Sequence, residues 1–391
     1  MSSVDFLEKL LDGVAVEWTA LGDVAKYSDV RIDCTGIDEK NYVGVDNLLQ
    51  NRAGKANSTY VPTEGRLIEY RPGDILIGNI RPYLKKIWLA NQSGGTNGDV
   101  LVVRPTHESL SSGYLHQVLT DENFFTYNMQ HAKGAKMPRG DKAKILEYKL
   151  PIPCPDNPKK SLEIQAEIVR ILDAFTAMTA ELTAELTARR KQYNHYRDQL
   201  LSFEEGEVEW KTLGGLVEVN TGSKPSEILE NATSIDYINA GTSRSGYSAE
   251  SNCEGDTVTT PSRGQGGIGF VGYQKKPFWL GPLCYKLQST DKAVLINKYL
   301  FYFLQSRSEL LLGLKKEGGV PAVNKSDLVQ LEIPVPSVEE QKRIVAILDK
   351  FDALTNSITE GLPREIELRQ KQYAYYRDLL LSFPKPVEVE A

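Results

Sequence analysis

Apolar and polar positions alternate with a helical period over residues 164–203. Most neighbouring apolar or aromatic positions there lie three or four residues apart, the pattern of a long helix with a coiled-coil seam. Ser161 is the predicted N-cap, with Glu163 in the first turn. The seam positions are Ile164, Ile168, Ile171, Phe175, Met178, Leu182, Leu186, Tyr193, Tyr196, Leu200 and Phe203. A single helix with such a seam must bury it, so we expect a second helix to pair with it.

A second copy of this helix occurs later in the chain. Residues 165–175 recur with few changes as 341–351, and residues 191–203 recur as 371–383. The first pair is offset by 176 and the second by 180, so one four-residue unit has been gained or lost between them. Antiparallel pairing of the two repeats would preserve a pseudo-twofold symmetry.

Four-residue units occupy the middle of both repeats. Thr-Ala-Glu-Leu occurs at 179–182 and again at 183–186, and the second repeat has three looser units over 355–366. Two consecutive four-residue steps form a stutter, which locally relaxes a supercoil. Gly361 and Pro363 are expected to kink or restart the second helix, because an interior proline costs about 3 kcal/mol.

Two longer segments with little mutual identity precede the repeats. Short apolar runs such as 75–77, 100–103 and 268–271 predict strands, and helical stretches such as 114–119 and 298–304 alternate with them. Both segments are therefore predicted to be mixed α/β domains.

The predicted fold class is α/β, with two mixed α/β domains separated by two long helices that form an antiparallel coiled coil. The duplication is nearly circular, because the two ends of the chain resemble parts of the run that joins the first repeat to the second variable segment. The predicted parts are an N-terminal arm that completes the repeat (1–18), a first variable domain (19–155), a first helical repeat (156–207), a second variable domain (208–336) and a second helical repeat (337–391).

Charge is unevenly distributed along the chain. The net charge is −6 at pH 7, which taken alone argues against a nucleic-acid partner. Residues 19–150 and 211–330 are each +2, and the remainder, which holds the helical repeats, is −10. Because the distribution matters more than the sum, the two variable domains remain candidates for contact with nucleic acid.

No catalytic signature is visible in the sequence. There is no P-loop and no methyltransferase motif of the Asn-Pro-Pro-Tyr type, and the glycine-rich run 264–272 lacks the GxGxxG register. The four histidines have no metal-ligand spacing. We therefore expect no enzyme activity, no cofactor and no metal site in this chain.

The sequence also favours a cytoplasmic protein. The four cysteines are scattered without Cys-x-x-Cys spacing, which suits a reducing compartment. No apolar run approaches the roughly 20 residues needed to cross a bilayer, and the acidic N-terminal stretch does not resemble a signal peptide.

Both variable domains carry a glycine-rich basic loop shortly before their last predicted strand. The loops at 133–142 and 316–325 align at a constant offset of 183, which pairs Arg139 with Ala322. Glycine lets the backbone approach phosphate closely, and Lys or Arg neutralises it. A base contact from Arg139 would accordingly belong to the first domain alone.

Further basic residues follow a Gly-Asp turn and a short strand in each domain, so the two groups could be equivalent. For any one of these residues a solvated surface charge is an equally good interpretation. The complete set of candidate DNA-binding residues is Asn79, Arg81, Lys85, Lys86, Lys133, Lys136, Arg139, Lys142, Arg263, Gln265, Lys275, Lys276, Lys316, Asn324 and Lys325.

The repeats resemble those of the specificity subunits of Type I restriction-modification enzymes. The most specific elements are the runs 341–349 and 371–378 and the repeated Leu-Leu-Ser-Phe. The opening run 10–18 and the tandem Thr-Ala-Glu-Leu units resemble the IC subgroup in particular. The resemblance covers essentially the whole chain, although the two variable segments match only in plan.

The resemblance implies an assembly on double-stranded DNA. Each variable segment would be a target recognition domain for one half of a split, asymmetric site. The helical repeats would separate the halves and dock two methyltransferase (modification) subunits, to which two translocase-nuclease (restriction) subunits add. S-adenosylmethionine, ATP and Mg would then belong to the partner subunits. The candidate docking residues on the helices are Tyr193, Tyr196, Arg197, Tyr373, Tyr376 and Arg377.

Two other interpretations stay open on the sequence alone. A non-catalytic coiled-coil scaffold whose variable domains bind proteins would explain the helices and their negative charge. A DNA-modifying enzyme would need converging acids and a cofactor loop, which the sequence does not display. The scaffold explains less well why near-identical helices flank divergent and slightly basic domains.

Overall fold

The computed structural model describes residues 13–204, 206–231, 235–264, 266–316, 318–357 and 359–383. The chain divides into two compact units. Unit 1 holds the described residues up to Glu181 together with those from Ile366 onward, and unit 2 runs from Leu182 to Glu365. Each unit thus combines one variable segment with pieces of both helical repeats. The domain boundaries drawn from the sequence stay predictions, and residues 1–12 of the predicted arm lie outside the described residues.

The strands are short and fall mainly in the two variable segments. They are β1 (Val16–Ala20), β2 (Ala25–Tyr27), β3 (Arg31–Asp33), β4 (Tyr42–Val43), β5 (Arg66–Tyr70), β6 (Ile75–Gly78), β7 (Ile87–Leu89), β8 (Gly94–Thr96), β9 (Val100–Pro105), β10 (Lys149–Pro153), β11 (Glu209–Thr212), β12 (Val217–Thr221), β13 (Ile235–Ile238), β14 (Gly246–Ser248), β15 (Thr257–Pro261), β16 (Gly272–Gln274), β17 (Trp279–Leu280), β18 (Cys284–Ser289) and β19 (Glu332–Val335).

The helices include one of 43 residues. They are α1 (Leu21–Val24), α2 (Ser112–Leu119), α3 (Glu122–Gln130), α4 (Lys142–Glu147), α5 (Pro158–Leu200), α6 (Leu213–Leu216), α7 (Asn297–Ser306), α8 (Ser308–Gly313), α9 (Lys325–Leu328), α10 (Val338–Thr355) and α11 (Gly361–Leu380), with a 3₁₀ turn at Pro82–Leu84.

Each unit contains the same antiparallel four-stranded sheet. Its order is β2-β9-β6-β7 in unit 1 and β12-β18-β15-β16 in unit 2. Each unit also has a mixed sheet, with four strands in unit 1 (β3-β5-β8-β4) and three in unit 2 (β14-β13-β17). An antiparallel pair also joins the two ends of each variable segment, β1 with β10 and β11 with β19. The predicted mixed α/β fold with an internal duplication is confirmed.

Matching hydrogen bonds join equivalent elements within the two units, and a buried glutamine attaches each helical repeat to its variable segment. The Tyr114 hydroxyl donates to the Pro151 carbonyl at 2.8 Å, and the Tyr299 hydroxyl donates to the Pro334 carbonyl at 3.0 Å. Gln165 and Gln341, both completely buried, each accept a backbone N–H from their own variable segment and donate to a carbonyl there. The first residues of each repeat are therefore part of a domain core.

The start of α5 differs from the sequence-based expectation. Asn157 caps the helix, because its Oδ1 accepts the Lys160 N–H at 3.1 Å, and Pro158 occupies the first helical position. Ser161, which was predicted to be the cap, lies inside the helix and is buried, with its hydroxyl donating to the Ser109 carbonyl at 3.2 Å.

The second repeat is two helices rather than one. α10 ends at Thr355 and α11 begins at Gly361, so the restart predicted from Gly361 and Pro363 is confirmed. Gly361 has φ +73°, a left-handed conformation that glycine adopts without strain. Pro363 lies in the first turn of α11, where its missing N–H has no partner to lose.

Within each unit the helix pieces pack through aromatic rings. In unit 1 Phe175 stacks on Tyr376 with centroids 5.1 Å apart, and in unit 2 Phe351 stacks on Tyr196 at 5.8 Å. These pairs are equivalent under the 176 and 180 offsets of the repeats. In unit 2 the Arg190 guanidinium also donates to the Thr355 carbonyl, so partner numbers fall as α5 numbers rise, and the packing is antiparallel.

Candidate nucleic-acid interface

The basic loop of unit 1 is a short hairpin. The Lys133 N–H donates to the Arg139 carbonyl at 2.9 Å, and the Arg139 N–H donates back at 2.8 Å. Gly134, at φ +101°, makes the turn possible. The Arg81 N–H donates to the Pro138 carbonyl at 2.7 Å, so the hairpin is fastened to the segment that follows β6.

Unit 2 builds the same hairpin. Lys316 and Ala322 exchange two backbone hydrogen bonds of 2.9 and 3.2 Å, and the Gly264 N–H donates to the Pro321 carbonyl at 3.1 Å. The offset of 183 that aligns the two loops also aligns the segments to which they are fastened, 79–81 and 262–264. Two stretches distant in sequence therefore form one equivalent surface in each unit, named here the hairpin surface.

The lysine that opens each hairpin is held by an acid. Lys133 Nζ lies 2.6 Å from Asp141 Oδ2, and Lys316 Nζ lies 2.7 Å from Asp327 Oδ2. These side-chain hydrogen bonds lower the pKa of Asp141 and of Asp327. Both lysines remain more than half exposed, so their charge is accessible to a ligand.

Other predicted residues also lie on the hairpin surfaces. Lys136, Arg139 and Lys142 are exposed in unit 1. Asn324 occupies the N-cap position of α9, and Lys325 begins that helix, with Nζ 3.2 Å from Asn220 Oδ1.

Lys85 and Lys86 do not behave as a pair of surface charges. Lys86 is buried, its Nζ donates to the Val45 carbonyl at 2.5 Å, and burial lowers its pKa. Lys85 joins Arg52 on Glu122, with Nζ–O and N–O distances of 2.8 and 2.7 Å. The prediction that Lys86 contacts DNA is wrong for this conformation, because its amino group already serves the fold.

Asn79 is also buried, with a side-chain oxygen that has no hydrogen-bond donor among the described residues. It lies under the hairpin surface, because its carbonyl accepts the Gly140 N–H at 3.1 Å. A Cβ added to Gly140 would lie 2.8 Å from Asn79 Oδ1 and 2.4 Å from Asn128 Oδ1, both buried, so the close approach of the backbone depends on glycine. Asn79 therefore supports the loop instead of presenting an amide to a ligand.

The predicted equivalence of Lys85-Lys86 with Lys275-Lys276 is wrong. The first pair lies in the turn between β6 and β7, at the hairpin end of β6. The second pair follows β16, whose Gln274 is opposite Thr257 at the start of β15. Lys275 and Lys276 are exposed but at the end of β15 remote from Arg263, and Gln265 lies outside the described residues.

The candidate docking residues lie mostly in helix contacts within their own unit. Tyr193 and Arg377 are buried, and Arg377 Nε lies 3.1 Å from Asp121 Oδ2. Tyr373 Oη lies 3.4 Å from Gln117 Oε1, and the Arg197 guanidinium is 2.7 Å from Asp198. Tyr196 and Tyr376 are stacked on phenylalanines yet remain partly exposed. Burial makes Tyr193 and Arg377 unsuitable as direct docking contacts.

Sequence reasoning missed several residues of these surfaces. Tyr83, 48% exposed, lies in the 3₁₀ turn between Arg81 and Lys85, which both adopt left-handed conformations. Met137 and Val320 are exposed at the tips of the two hairpins. In the sequence, an aromatic residue between two basic residues was the pattern that could have identified Tyr83 as a candidate.

Unit 2 also has a cleft of about 440 Å³ next to β15 and β16. Its walls include the loop 239–244 and residues of β15 and β16. Arg244 lies over the Tyr247 ring at 4.6 Å and 3.5 Å from Asp236. The cleft has no counterpart among the sequence-based candidates, because its walls come from segments that are separate in the chain.

Two properties of the described ranges bear on other functions. No helix there combines the length and the apolar character of a membrane span. No group of three or more His, Cys, Asp or Glu side chains there could hold a metal ion.

Comparison with known proteins places this architecture in a defined class. The family model described as the Type I restriction modification DNA specificity domain matches the chain twice, over residues 16–189 and 205–368. The chain belongs to this family of specificity subunits, the non-catalytic, DNA-sequence-recognising component of Type I restriction-modification systems. The predictions of family, function and absence of catalysis are confirmed, and the protein-binding scaffold is not favoured.

Particular relatives agree along the whole chain. The sequence is 40% identical over 416 aligned positions to the specificity subunit of the Escherichia coli Type I restriction enzyme EcoR124I/EcoR124II, covering 100% of both chains. It is 32% identical to a putative Type I specificity subunit of Haemophilus influenzae, covering 97% of this chain and 98% of that one.

A solved structure has the same fold at lower identity. The S subunit of a Type I restriction-modification system from M. genitalium superposes with a TM-score of 0.63 at 16% identity, over 96% of this chain and 98% of that one. A chain from a structural study of complex assembly and conformational transition of the Type I system gives a TM-score of 0.60 at 18% identity, over 94% and 97%.

Proposed function

We propose that unit 1 and unit 2 each bind one half of a bipartite, asymmetric site in double-stranded DNA. The observation that carries this proposal is the hairpin surface, built twice with the same backbone hydrogen bonds and with different exposed side chains. The same backbone provides the same approach to a duplex, and different side chains select different bases. Two unlike halves make the complete site asymmetric.

The lysines of the hairpin surfaces are assigned to phosphates. Lys133 and Lys316 occupy equivalent positions in the two units, as do Lys142 and Lys325. Charges that are identical in both units suit the sugar-phosphate backbone, which is the same at every sequence. Binding should therefore weaken steeply as salt rises.

The helical repeats are assigned to assembly with other subunits. Two modification subunits and two restriction subunits are the proposed partners, and the negative charge of the helices favours a basic face on at least one of them. S-adenosylmethionine, ATP and Mg are proposed to bind those partners, with no cofactor in this chain. A cytoplasmic location, where the DNA is, fits the scattered free cysteines.

The experiment is base-resolved methylation mapping in cells that express this chain with the modification subunit of its own system. A split methylated motif that disappears when this chain is omitted is the expected result. Replacing residues 211–330 with the corresponding segment of a relative should change one half of that motif and leave the other half as it was.

The control is the modification subunit expressed with the wild-type chain from a gene in which the codons for 211–330 are replaced by synonymous ones. This control has the same cloning changes and an unchanged protein. If methylation does not depend on this chain, the proposed function is wrong. If the segment exchange alters both halves, the assignment of one half to each unit is wrong although DNA recognition stands.

A further inference from the structure

One backbone bridge on each hairpin surface carries an arginine, but from opposite strands. In unit 1 Ile80 lies across from Arg139, and in unit 2 Arg263 lies across from Ala322. Under the 183 offset Ile80 corresponds to Arg263 and Arg139 corresponds to Ala322. The sequence alone suggested that Arg139 has no counterpart in the second domain, and the bridge shows that Arg263 takes its place.

The geometry of such a bridge puts the two alternatives on one face. Residues directly opposite each other in an antiparallel pair project from the same side, with Cα atoms roughly 4.5–5.5 Å apart. The Arg139 side chain is 59% exposed, and Arg263 is exposed as well. Each unit therefore presents one guanidinium at the bridge in its hairpin surface. Arg81, also exposed in unit 1, lies next to the bridge and corresponds to Gly264 in unit 2.

The lysines and the arginines of these surfaces follow different rules. Lys133 and Lys142 have lysine counterparts in unit 2, although Lys136 corresponds to Gly319, whereas the bridge arginine moves from one strand to the other. A side chain that changes place on a fixed scaffold suits a target that differs between the two halves of a site. The guanidinium fork matches O6 and N7 of guanine in the major groove, a contact that lysine makes less selectively.

We propose that Arg139 and Arg263 are the specificity-determining arginines of the two half-sites, each reading one guanine. The inference rests on the proposed function of the hairpin surfaces. The two strands of the bridge are separated by more than one base-pair step of about 3.4 Å. The guanine should therefore lie at a different position relative to the phosphates held by the lysines in each half-site.

The surroundings of the two arginines differ in one respect. The Arg139 guanidinium lies 3.1 Å from Asp99 Oδ1. Leu283 is the corresponding residue in unit 2, since its carbonyl accepts the Ser262 N–H as the Asp99 carbonyl accepts the Asn79 N–H. Asp99 is accordingly a positioning residue for Arg139, and Arg263 forms no ion pair with the described residues of its unit.

The experiment compares six full-length chains, each co-expressed with the modification subunit: wild type, R139A, R139K, R263A, the exchange R263A/A322R and a lysine control. The complexes are used to select from randomised DNA duplexes and to map methylation. R139A should relax one guanine position in the first half-site, with discrimination lowered roughly 5- to 150-fold. R263A should do the same in the second half-site.

The remaining variants separate base reading from charge. R139K should keep most of the affinity and lose discrimination, because lysine retains the charge without the fork. R263A/A322R should move the preferred guanine within the second half-site. The control K292A, on a 65% exposed lysine that pairs with Asp256 just before β15, should leave the motif unchanged.

Uniform weakening on all sequences in R139A and R263A, with the wild-type motif retained, would show that the arginines bind phosphate and would overturn the inference while DNA recognition stands. A wild-type chain that selects no bipartite motif would instead overturn the proposed function itself. Circular dichroism of each purified variant shows whether a loss of selection reflects unfolding.

Discussion

At the residue scale, equivalent hydrogen bonds in the two units share their acceptor, which lies in the helical repeat, but have different donors in the variable segments. Asp173 accepts a hydrogen bond from Gln117 Nε2 in unit 1, and Asp349 accepts one from the Tyr302 hydroxyl in unit 2. The aspartate belongs to the near-identical helix, and its donor belongs to the divergent segment. The repeat therefore imposes a common anchor that each variable segment satisfies in its own way.

Arg377 and Arg197 show the same divergence with a larger energetic consequence. Both side chains of the Arg377–Asp121 pair are 7% exposed. Neutralising Asp121 leaves the buried Arg377 guanidinium with the largely exposed Asp378, 2.8 Å away, as its remaining ion-pair partner among the described residues. Asp121→Asn, which keeps the cap of α3, should lower the free energy of unfolding by about 3 kcal/mol, measured by denaturant titration.

The matched control is Arg197→Ala, since Arg197 pairs with the adjacent, half-exposed Asp198. That substitution should cost under about 1 kcal/mol. Equal losses in the two variants would show that the Asp121 pair contributes nothing beyond an ordinary surface contact.

The ionisation of Glu122, which pairs with Lys85 and Arg52, should make the free energy of unfolding depend on pH. Partial burial acts to raise its pKa, but hydrogen bonds from Lys85 and Arg52 outweigh this and lower the pKa to about 2. A carboxyl with a depressed pKa in the folded state stabilises the fold above its ordinary pKa, and the contribution disappears as pH falls through the folded value. The stability difference between wild type and Glu122→Gln should be largest near neutral pH and vanish towards pH 2.

Glu147→Gln is the control for that titration, because Glu147 is an exposed partner of Lys144 within one helix. Thermal unfolding at a series of pH values between about 2 and 7 gives the comparison. A difference for Glu122→Gln that does not change over this range would contradict the assigned role of its charge.

At the scale of elements, the break in the second repeat is a built feature of unit 2. A Cβ on Gly361 would lie 2.4 Å from the Ala353 carbonyl oxygen and 2.7 Å from that of Leu354. Backbone oxygens of a helix end cannot move aside cheaply. The restart of α11 therefore depends on a residue without a side chain.

Gly361→Ala should destabilise the protein by about 2–3 kcal/mol, since it adds close contacts to the strain of a positive φ. Gly206→Ala is a matched control, because Gly206 also has a positive φ, of +85°, but no atom within 4 Å of the added Cβ. The control should lose about 1 kcal/mol. Equal losses by denaturant titration would mean that backbone strain alone explains the glycine.

At the scale of the whole molecule, the internal duplication produces two units, and each unit contains segments of both helical repeats. Unit 1 takes the start of α5 and most of α11, and unit 2 takes the rest of α5 together with α10. The tandem Thr-Ala-Glu-Leu units lie where α5 passes from one unit into the other. If each unit binds one half-site as proposed, the number of Thr-Ala-Glu-Leu units is expected to set the spacing between the half-sites, as the family resemblance implies.

Deleting residues 183–186 removes about 6 Å of helix and turns the remainder by roughly 40°. The expected result is a methylated motif with the same half-sites and a spacer shorter by one or two base pairs. Replacing 183–186 with four alanines keeps the length and should leave the spacer as it was. Altered half-sites with the original spacer would refute the proposed measuring role of these units.

The family, the duplication and the helix break could be read from the sequence, because they depend on neighbours along the chain. Periodicity reveals a helix, a repeated run reveals a duplication, and Gly361 with Pro363 reveals a restart. The offset of 183 between the two loops likewise needed only the order of residues.

Tertiary structure alone decided which charged groups are accessible and which residues correspond across the two units. The Lys86 amino group donates to the Val45 carbonyl, and Arg377 is buried against Asp121, 256 positions earlier in the chain. Arg263 became the counterpart of Arg139 only through its bridge to Ala322. Each of these facts depends on a contact between segments far apart in sequence, and no local pattern of residues encodes such a contact.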